Sequence, residues 1–77
     1  MKYHYTKQRQ RELIEIDAEN IRIIQNPEED IQFEAINNVM TYIQYIQNPT
    51  MKIQLEAVKK DGNLIRYIKN VNKEVQL

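Results

Sequence analysis

The sequence predicts an all-α protein: a short solenoid of about three stacked helical-hairpin repeats, the last one truncated. Residues 26–47 return without gaps as residues 48–69, so the period is 22 residues. Both copies begin with Asn-Pro, and both carry apolar residues over a wide helical arc, as at Ile31, Ala35 and Ile36. A fixed period in this range is typical of stacked repeat units, and a wide apolar arc is typical of a helix contacted from more than one side.

The 77 residues form one domain. We predict a flexible tail at 1–7, repeats at 4–25, 26–47 and 48–69, and a half-repeat at 70–77. Arg9 and Arg11 in the first copy replace Ile31 and Phe33 of the second. Polar replacement in a terminal repeat is what an end cap of a stacked array requires.

Each copy is expected to contain two short helices. We predict that the first begins near Asn26, Asn48 and Asn70, because Asn is a good N-cap and Pro suits the first helical position. In the third copy Asp61-Gly62 marks the break between helices, since glycine takes a positive φ cheaply. Met40 stands there in the second copy, so either Asn37 or Asn38 takes the left-handed position or the two helices join with a kink.

A glutamine recurs at the same place in each copy, at Gln32, Gln54 and Gln76. One interpretation is a polar row that grips a partner. The other is a set of amides that hydrogen-bond the Asn-Pro turn of a neighbouring copy. We favour the second, because buried polar groups must be paired.

The run from Glu56 to Tyr67 resembles a bacterial and viral tandem helical repeat of unknown function, with units of the type A-V-x-x-N-G-x-x-[IL]-x-Y. The resemblance covers about residues 12–77 and is strongest in 53–69. Its motif residues are structural, so the resemblance implies a fold and no activity. Met40, and Asp17-Ala18 in the first copy, depart from the Asn/Asp-Gly pattern.

No chemistry is indicated, and we predict that the protein is not an enzyme and has no cofactor or metal. There is no serine or cysteine, and one glycine, Gly62, which rules out a glycine-rich phosphate loop. The only histidine, His4, has no second ligand nearby. No apolar run is long enough for a membrane span, and absence of cysteine fits a reducing compartment, so we expect a soluble cytoplasmic protein.

The predicted function is a small protein-binding module. Isoleucine, asparagine and lysine are abundant, and their codons are AT-rich, which favours a low-GC bacterium or its phage as the source. With that source, we predict a phage or prophage accessory protein that acts on a host protein. We also predict a homodimer, because the truncated last copy leaves apolar residues uncovered. The candidate self-association residues are Val71, Val75 and Leu77. The candidate partner-binding residues are Glu28, Glu29, Asp30, Gln44, Arg66 and Tyr67.

Two alternatives stay open: a purely structural self-assembling repeat, and nucleic-acid binding through the N-terminus. Basic charge interleaved with tyrosines is typical of single-strand binding. The chain is nevertheless net neutral, and residues 12–34 carry eight acids against one arginine, which argues against nucleic acid as a partner. The residues of this alternative are Lys2, Tyr3, Tyr5, Lys7, Arg9 and Arg11.

Overall fold

The structure, a computed structural model, describes residues 2–73. Three α-helices, α1 (Lys7–Ile16), α2 (Glu29–Asn38) and α3 (Met51–Lys60), alternate with three 3-10 helices, η1 (Ala18–Ile23), η2 (Met40–Tyr45) and η3 (Gly62–Tyr67). Residues 2–73 contain no strand, only an isolated parallel β-bridge between Tyr3 and Ile24. The all-α prediction is confirmed.

The six helices form two layers. The α layer (α1, α2 and α3) has each helix packed against the next, and the 3-10 layer (η1, η2 and η3) is arranged in the same way. Each α-helix also packs against the 3-10 helix that follows it. The molecule measures 36 × 19 × 19 Å. Equivalent elements are 22 residues apart, so the sequence period is also the period of the structure.

Helices α2 and α3 begin two residues later than predicted. The N-cap residues of the three α-helices are Thr6, Glu28 and Thr50, and the Thr6 and Thr50 hydroxyls accept from backbone N–H groups three residues on, at 3.2 and 3.3 Å. The predicted starts at Asn26 and Asn48 are therefore wrong, and the residues that would form a helix after Asn70 lie mostly outside the described part of the chain. The Asn-Pro pairs lie in the turn before the helix, where Asn26 has φ 52°. Asparagine tolerates this left-handed conformation better than most residues.

The break between each α-helix and its 3-10 helix is a single extended residue. Asp17, Val39 and Asp61 have φ of −162°, −142° and −154°. The Asp17 and Asp61 carboxylates each accept a hydrogen bond from the backbone N–H two residues later, at 3.0 Å, which stabilises the turn. Val39 cannot make this bond, but its β-branched side chain favours extended backbone. Gly62 has no positive φ.

The predictions for this break are therefore wrong in their geometry. Neither Asn37 nor Asn38 is left-handed, because both lie inside α2, and α2 and η2 are separated at Val39 rather than joined at Met40. The conformation needs no glycine, so Ala18, Met40 and Gly62 can occupy equivalent positions.

The short second helices were predicted without their 3-10 character. A 3-10 helix has three residues per turn, so side chains three apart lie on one side. Ala18, Ile21 and Ile24 show that spacing, and each is buried or packed against the core. The period of three in the sequence was the signal for this helix type.

One isoleucine-rich core runs between the two layers. Its members come from every α-helix and every 3-10 helix. The large side chains that are fully buried are Ile21, Ile24, Ile31, Ile36, Ile43, Ile46 and Ile53. Within residues 2–73, no helix is both long enough and apolar enough to cross a membrane.

The N-terminal segment belongs to the fold. The Tyr3 N–H donates to the carbonyl of Ile23 at 2.7 Å, and the Tyr3 carbonyl accepts from the Gln25 N–H at 2.9 Å. Tyr5 packs against the core, and Lys7 is already helical. The prediction of a flexible tail at 1–7 is therefore wrong over the described part, 2–7.

Candidate interaction surfaces

The 3-10 layer carries a cluster of aromatic and charged side chains from two neighbouring units. The Arg22 Nη1 donates to Glu19 Oε2 at 2.7 Å, and the Arg22 guanidinium lies 5.2 Å from the centroid of the Tyr45 ring. The Tyr42 and Tyr45 ring centroids are 5.6 Å apart. Stacking of arginine on tyrosine is favourable, so the cluster holds these side chains in place.

The contacts within this cluster raise the pKa values of Arg22 and Tyr42. The hydrogen bond and then the charge of Glu19 raise the pKa of Arg22. Partial burial, followed by the charges of Glu19 and Asp17, raises the pKa of the Tyr42 hydroxyl. Arg22 and Tyr42 therefore keep their ordinary protonation states at neutral pH, and the Arg22 charge is paired with Glu19.

The pattern continues onto η3. Gln44 and Arg66 occupy the Arg22 position of the next two units, and Tyr67 occupies the Tyr45 position of the third. Arg66 is exposed, Tyr67 is 38% exposed and Gln44 is half-buried. Neither Arg66 nor Tyr67 has an ion pair or ring contact with another residue of the described chain. These two side chains are available to a partner.

The predicted acidic site residues lie on the α layer, away from Gln44, Arg66 and Tyr67. The Glu28 N–H is bonded to Gln10, and Glu29 and Asp30 form the first turn of α2. The structure therefore divides the predicted partner-binding residues between two surfaces.

Asp30 is a junction between α1 and α2. Its Oδ2 lies 3.2 Å from Lys7 Nζ and 3.0 Å from Arg11 Nη2. Loss of solvent contact raises the pKa of Asp30, but the hydrogen bond and charge of Lys7, the Ile31 N–H and the charge of Arg11 outweigh it and hold the pKa below its ordinary value. Asp30 thus links α1 to α2 through two ion pairs.

An open groove of about 450 Å³ crosses the α layer beside Asp30. Phe33 supplies its apolar wall, Glu29 and Glu34 lie on the α2 side, and Lys52 reaches it from α3. This groove was not predicted from the sequence. The signal was the alignment of Phe33 with Leu55 one period later: Phe33 is half-buried against the core, and Leu55 is 38% exposed.

The basic N-terminal residues are engaged within the chain. Lys2 Nζ donates to the carbonyls of Arg22 at 2.8 Å and Tyr45 at 2.9 Å, and burial, then the charges of Lys69 and Arg22, lower its pKa. Arg9 is paired with Glu12 at 3.1 Å, as Lys7 and Arg11 are with Asp30. Charges paired in this way are poorly placed to contact phosphates.

The two N-terminal tyrosines are not equivalent. Tyr3 is 51% exposed, while Tyr5 is half-buried against the core, and their ring centroids are 6.2 Å apart in an edge-to-face arrangement. His4 is exposed. Of the predicted single-strand surface, only the Tyr3 ring is both aromatic and open to solvent.

The predicted self-association residues are only partly described. Val71 was predicted to be uncovered, but it is half-buried and packed against the core. Val75 and Leu77 lie outside the described residues, as does Gln76. The start of the half-repeat is docked, because the Asn70 side chain donates to the Gln47 carbonyl and to Asn48 Oδ1, both at 3.2 Å.

A row of buried glutamines joins the units. Gln10, Gln32 and Gln54 each donate from Nε2 to the carbonyl five residues before, at 2.9–3.0 Å. Each also accepts at Oε1 from the N–H 18 residues later, in the next unit, at 2.8–3.3 Å. The structural interpretation of Gln32 and Gln54 is confirmed in that both amides are buried and paired, but the Asn-Pro turn that each one binds belongs to its own copy, and the neighbouring copy supplies the N–H of Thr50 or Asn72. Gln10 extends the row by one period.

Comparisons with protein-family models, with curated proteins and with solved structures give no match. The resemblance to a tandem helical repeat family therefore stays a prediction.

Proposed function

We propose that this chain is a small, non-catalytic protein-binding module that binds through its 3-10 layer, and we interpret its three units as a short solenoid. The observation that carries the proposal is the exposed Arg66–Tyr67 pair on η3, beside a layer already rich in arginine and tyrosine. Arginine and tyrosine are enriched among the residues that dominate binding energy at protein interfaces.

The scaffold beneath this pair favours binding. Leu64 and Ile68, which flank Arg66 and Tyr67 in the chain, are 5% and 7% exposed and belong to the core. Side chains mounted on a packed element lose less conformational freedom on binding than side chains on a mobile loop. Glu28, Glu29 and Asp30 are left out of this surface, because they lie on the other layer.

The biological setting we propose is a cytoplasmic phage or prophage accessory protein that binds or inhibits a host protein. Its support is the abundance of residues with AT-rich codons and the repeat resemblance. The partner is then a protein of the host cell, and it contacts Gln44, Arg66 and Tyr67.

The test is capture of proteins from the source cell by immobilised protein, with and without nuclease. We expect one stoichiometric protein that survives nuclease and that is lost with Arg66→Glu combined with Tyr67→Ala. The matched control is Lys60→Glu with Val39→Ala. Lys60→Glu makes the same change of charge as Arg66→Glu, and Val39→Ala truncates a side chain that is 39% exposed, close to the 38% of Tyr67. The control should retain the partner.

Two outcomes would reject the proposal. Loss of the partner in both double variants would mean that the effect is not specific to the 3-10 layer. Recovery of nucleic acid alone, abolished by Arg9→Glu with Arg11→Glu and falling steeply with salt, would favour the nucleic-acid alternative instead.

A further inference from the structure

The turns that follow the 3-10 helices carry a row of amide side chains. Equivalent pairs lie 22 residues apart, at Gln25-Asn26, Gln47-Asn48 and Lys69-Asn70. Between the second and third turns the row is closed, because the Asn70 side chain donates to the Gln47 carbonyl and to Asn48 Oδ1, both at 3.2 Å. Within residues 2–73, Asn48 makes no equivalent bond to the Gln25 carbonyl or to Asn26 Oδ1. One junction is therefore closed and the other is open.

The open junction is a cleft of about 420 Å³, which we call the turn cleft. The lining that determines its chemistry consists of Lys2, Gln25, Asn26, Pro27, Gln47 and Asn48. The backbone accounts for the opening: Asn26 and Asn70 are left-handed, with φ of 52° and 56°, and Asn48 is not, so its side chain is not placed as that of Asn70 is. The volume lies within the range of small-ligand sites.

Lys2 supplies a positive charge to the turn cleft. Its Nζ donates to the carbonyls of Arg22 at 2.8 Å and Tyr45 at 2.9 Å, and an ammonium has three N–H donors, so one remains for a ligand. No acidic residue of the described chain lines the cleft, and Lys2 has no ion pair there. The charge of Lys69 also reaches Lys2, since it lowers the pKa of that ammonium after burial does. The cleft thus carries a positive charge that no carboxylate neutralises.

The amides supply donors and acceptors beside this charge. The side chains of Gln25, Asn26 and Gln47 make no hydrogen bond to any other described residue, and Asn48 uses only its Oδ1. A carboxamide has two N–H donors and one carbonyl acceptor. A ligand that pairs with these groups must therefore offer acceptors and at least one donor, together with a negative charge for Lys2.

We propose that the turn cleft binds the C-terminal end of a peptide, with the carboxylate on Lys2 and the last peptide group among the amides. A carboxylate carries the single negative charge that one ammonium matches, and a peptide group offers the N–H and C=O that carboxamides pair with. Phosphate monoesters carry up to two negative charges and offer mainly acceptors, so they fit less well. Capture of a C-terminal carboxylate is a recurring mode of peptide recognition.

This site goes beyond the binding function proposed above. Neither Arg66 nor Tyr67 lines the turn cleft, and its test needs only the purified chain and a synthetic peptide. Either proposal can therefore fail without the other.

The test is titration of the isotope-labelled chain with N-acetyl-dialanine, followed by two-dimensional NMR of the side-chain NH₂ groups of Gln25, Asn26, Gln47 and Asn48. We expect these signals to move and to saturate with a dissociation constant of roughly 1 mM, as a ligand of this size allows. Three parallel probes are the same peptide with a C-terminal amide, acetate and inorganic phosphate. Each should bind about tenfold more weakly, because it lacks the carboxylate, the peptide group or both.

Two variants separate the charge from the amides. Lys2→Met should weaken binding of the peptide about tenfold and abolish the preference for a free carboxylate over a C-terminal amide. Gln25→Met with Gln47→Met should weaken binding but keep that preference. Both glutamines are exposed and their side chains make no hydrogen bond within the described chain, so this variant stays folded even if Lys2→Met does not. The control is Lys60→Met at the end of α3, which should bind like the wild type.

Four results would overturn the proposal. The first is no movement of the amide signals at peptide concentrations well above the expected dissociation constant. The second is equal binding of the amidated peptide or of acetate, which would remove either the charge or the peptide group from recognition. The third is tighter binding of phosphate, which would make the cleft a phosphate site. The fourth is an equal loss in Lys60→Met and Lys2→Met, which would reduce the effect to the overall charge of the protein.

Discussion

Gln32 Oε1 accepts a hydrogen bond from the backbone N–H of Thr50, 18 residues further along the chain, at 3.3 Å. The same side chain donates to the Pro27 carbonyl at 2.9 Å. One buried amide thus fixes the turn before its own helix and the N-cap of the next helix. Because Gln10 and Gln54 repeat the arrangement, the stacking of each unit on the next is specified by a polar contact as well as by the apolar core.

The first prediction follows from this amide. Gln32→Met keeps the volume but removes both hydrogen bonds, which leaves the Pro27 carbonyl and the Thr50 N–H without partners. A buried unsatisfied group costs about 1–3 kcal/mol, so we expect the free energy of unfolding to fall by about 2–4 kcal/mol. Urea denaturation followed by circular dichroism measures the loss.

Gln47→Met is the matched control. Gln47 is exposed, and its side chain makes no hydrogen bond within the described residues, so the stability should change by less than about 0.5 kcal/mol. Equal effects of the two substitutions would show that the buried amide contributes nothing specific.

The all-α fold and its 22-residue period could be predicted, because the repeat and the apolar pattern are both local properties of the sequence. The helix starts could not, because two signals competed. Asn26 and Pro27 have the chemistry of an N-cap and a first helical residue. The observed N-caps are Thr6, Glu28 and Thr50, and because Glu28 is not a typical N-cap residue, the sequence does not show that these three positions share one role. The buried glutamine holds the turn in place of a helix over 26–28.

The surfaces were predicted only in part. The exposure of Arg66 and Tyr67 follows from the sequence pattern. Leu64 and Ile68, on either side of them in the chain, are core residues, so Arg66 and Tyr67 between them face solvent. The pairing of Lys7 and Arg11 with Asp30 depends on how α1 packs against α2, and 19 residues of sequence separate Arg11 from Asp30. Composition shows the charges but not which of them meet.

The second prediction concerns the N-cap of α2. Glu28 makes no side-chain capping bond, whereas the hydroxyl of Thr50 accepts from the Ile53 N–H. Glu28→Thr should add a cap of about 1 kcal/mol, reduced by loss of one carboxylate near the helix N-terminus, worth about 0.3–1 kcal/mol. We expect a net stabilisation of about 0.5 kcal/mol in thermal unfolding.

Thr50→Ala provides the comparison for that cap and should destabilise by about 1 kcal/mol. If Glu28→Thr destabilises while Thr50→Ala has its expected effect, the charge at position 28 outweighs the capping bond.

The third prediction tests the conformation at Gly62. This residue has no positive φ, and a Cβ added there meets no atom within 4 Å. Gly62→Ala should therefore stabilise the protein by about 0.4–1 kcal/mol, because alanine restricts the unfolded chain. Asn26→Ala is the opposite case, since Asn26 has φ 52°, and it should destabilise by about 1 kcal/mol. A destabilising Gly62→Ala would restore the left-handed interpretation of Asp61-Gly62.

The last prediction concerns pH and the junction at Asp30. Lys7 and Arg11 lower the pKa of Asp30 in the folded chain, so the carboxylate contributes stability above its ordinary pKa of 3.8 and loses it as the pH falls through the folded value. Asp30→Asn lacks this contribution. The melting temperature of the wild type should exceed that of Asp30→Asn at neutral pH, and the difference should shrink below pH 3.8.

High salt should shrink the same difference, because both ion pairs are about half exposed. Glu29→Gln separates the pairs from the helix dipole: Glu29 lies in the same turn of α2 but has no ion pair within the described residues. If Glu29→Gln and Asp30→Asn lower the melting temperature equally, with the same pH dependence, the helix dipole and not Lys7 and Arg11 would be responsible. A larger, salt-sensitive effect at Asp30 alone would place the stabilisation in the contact between α1 and α2.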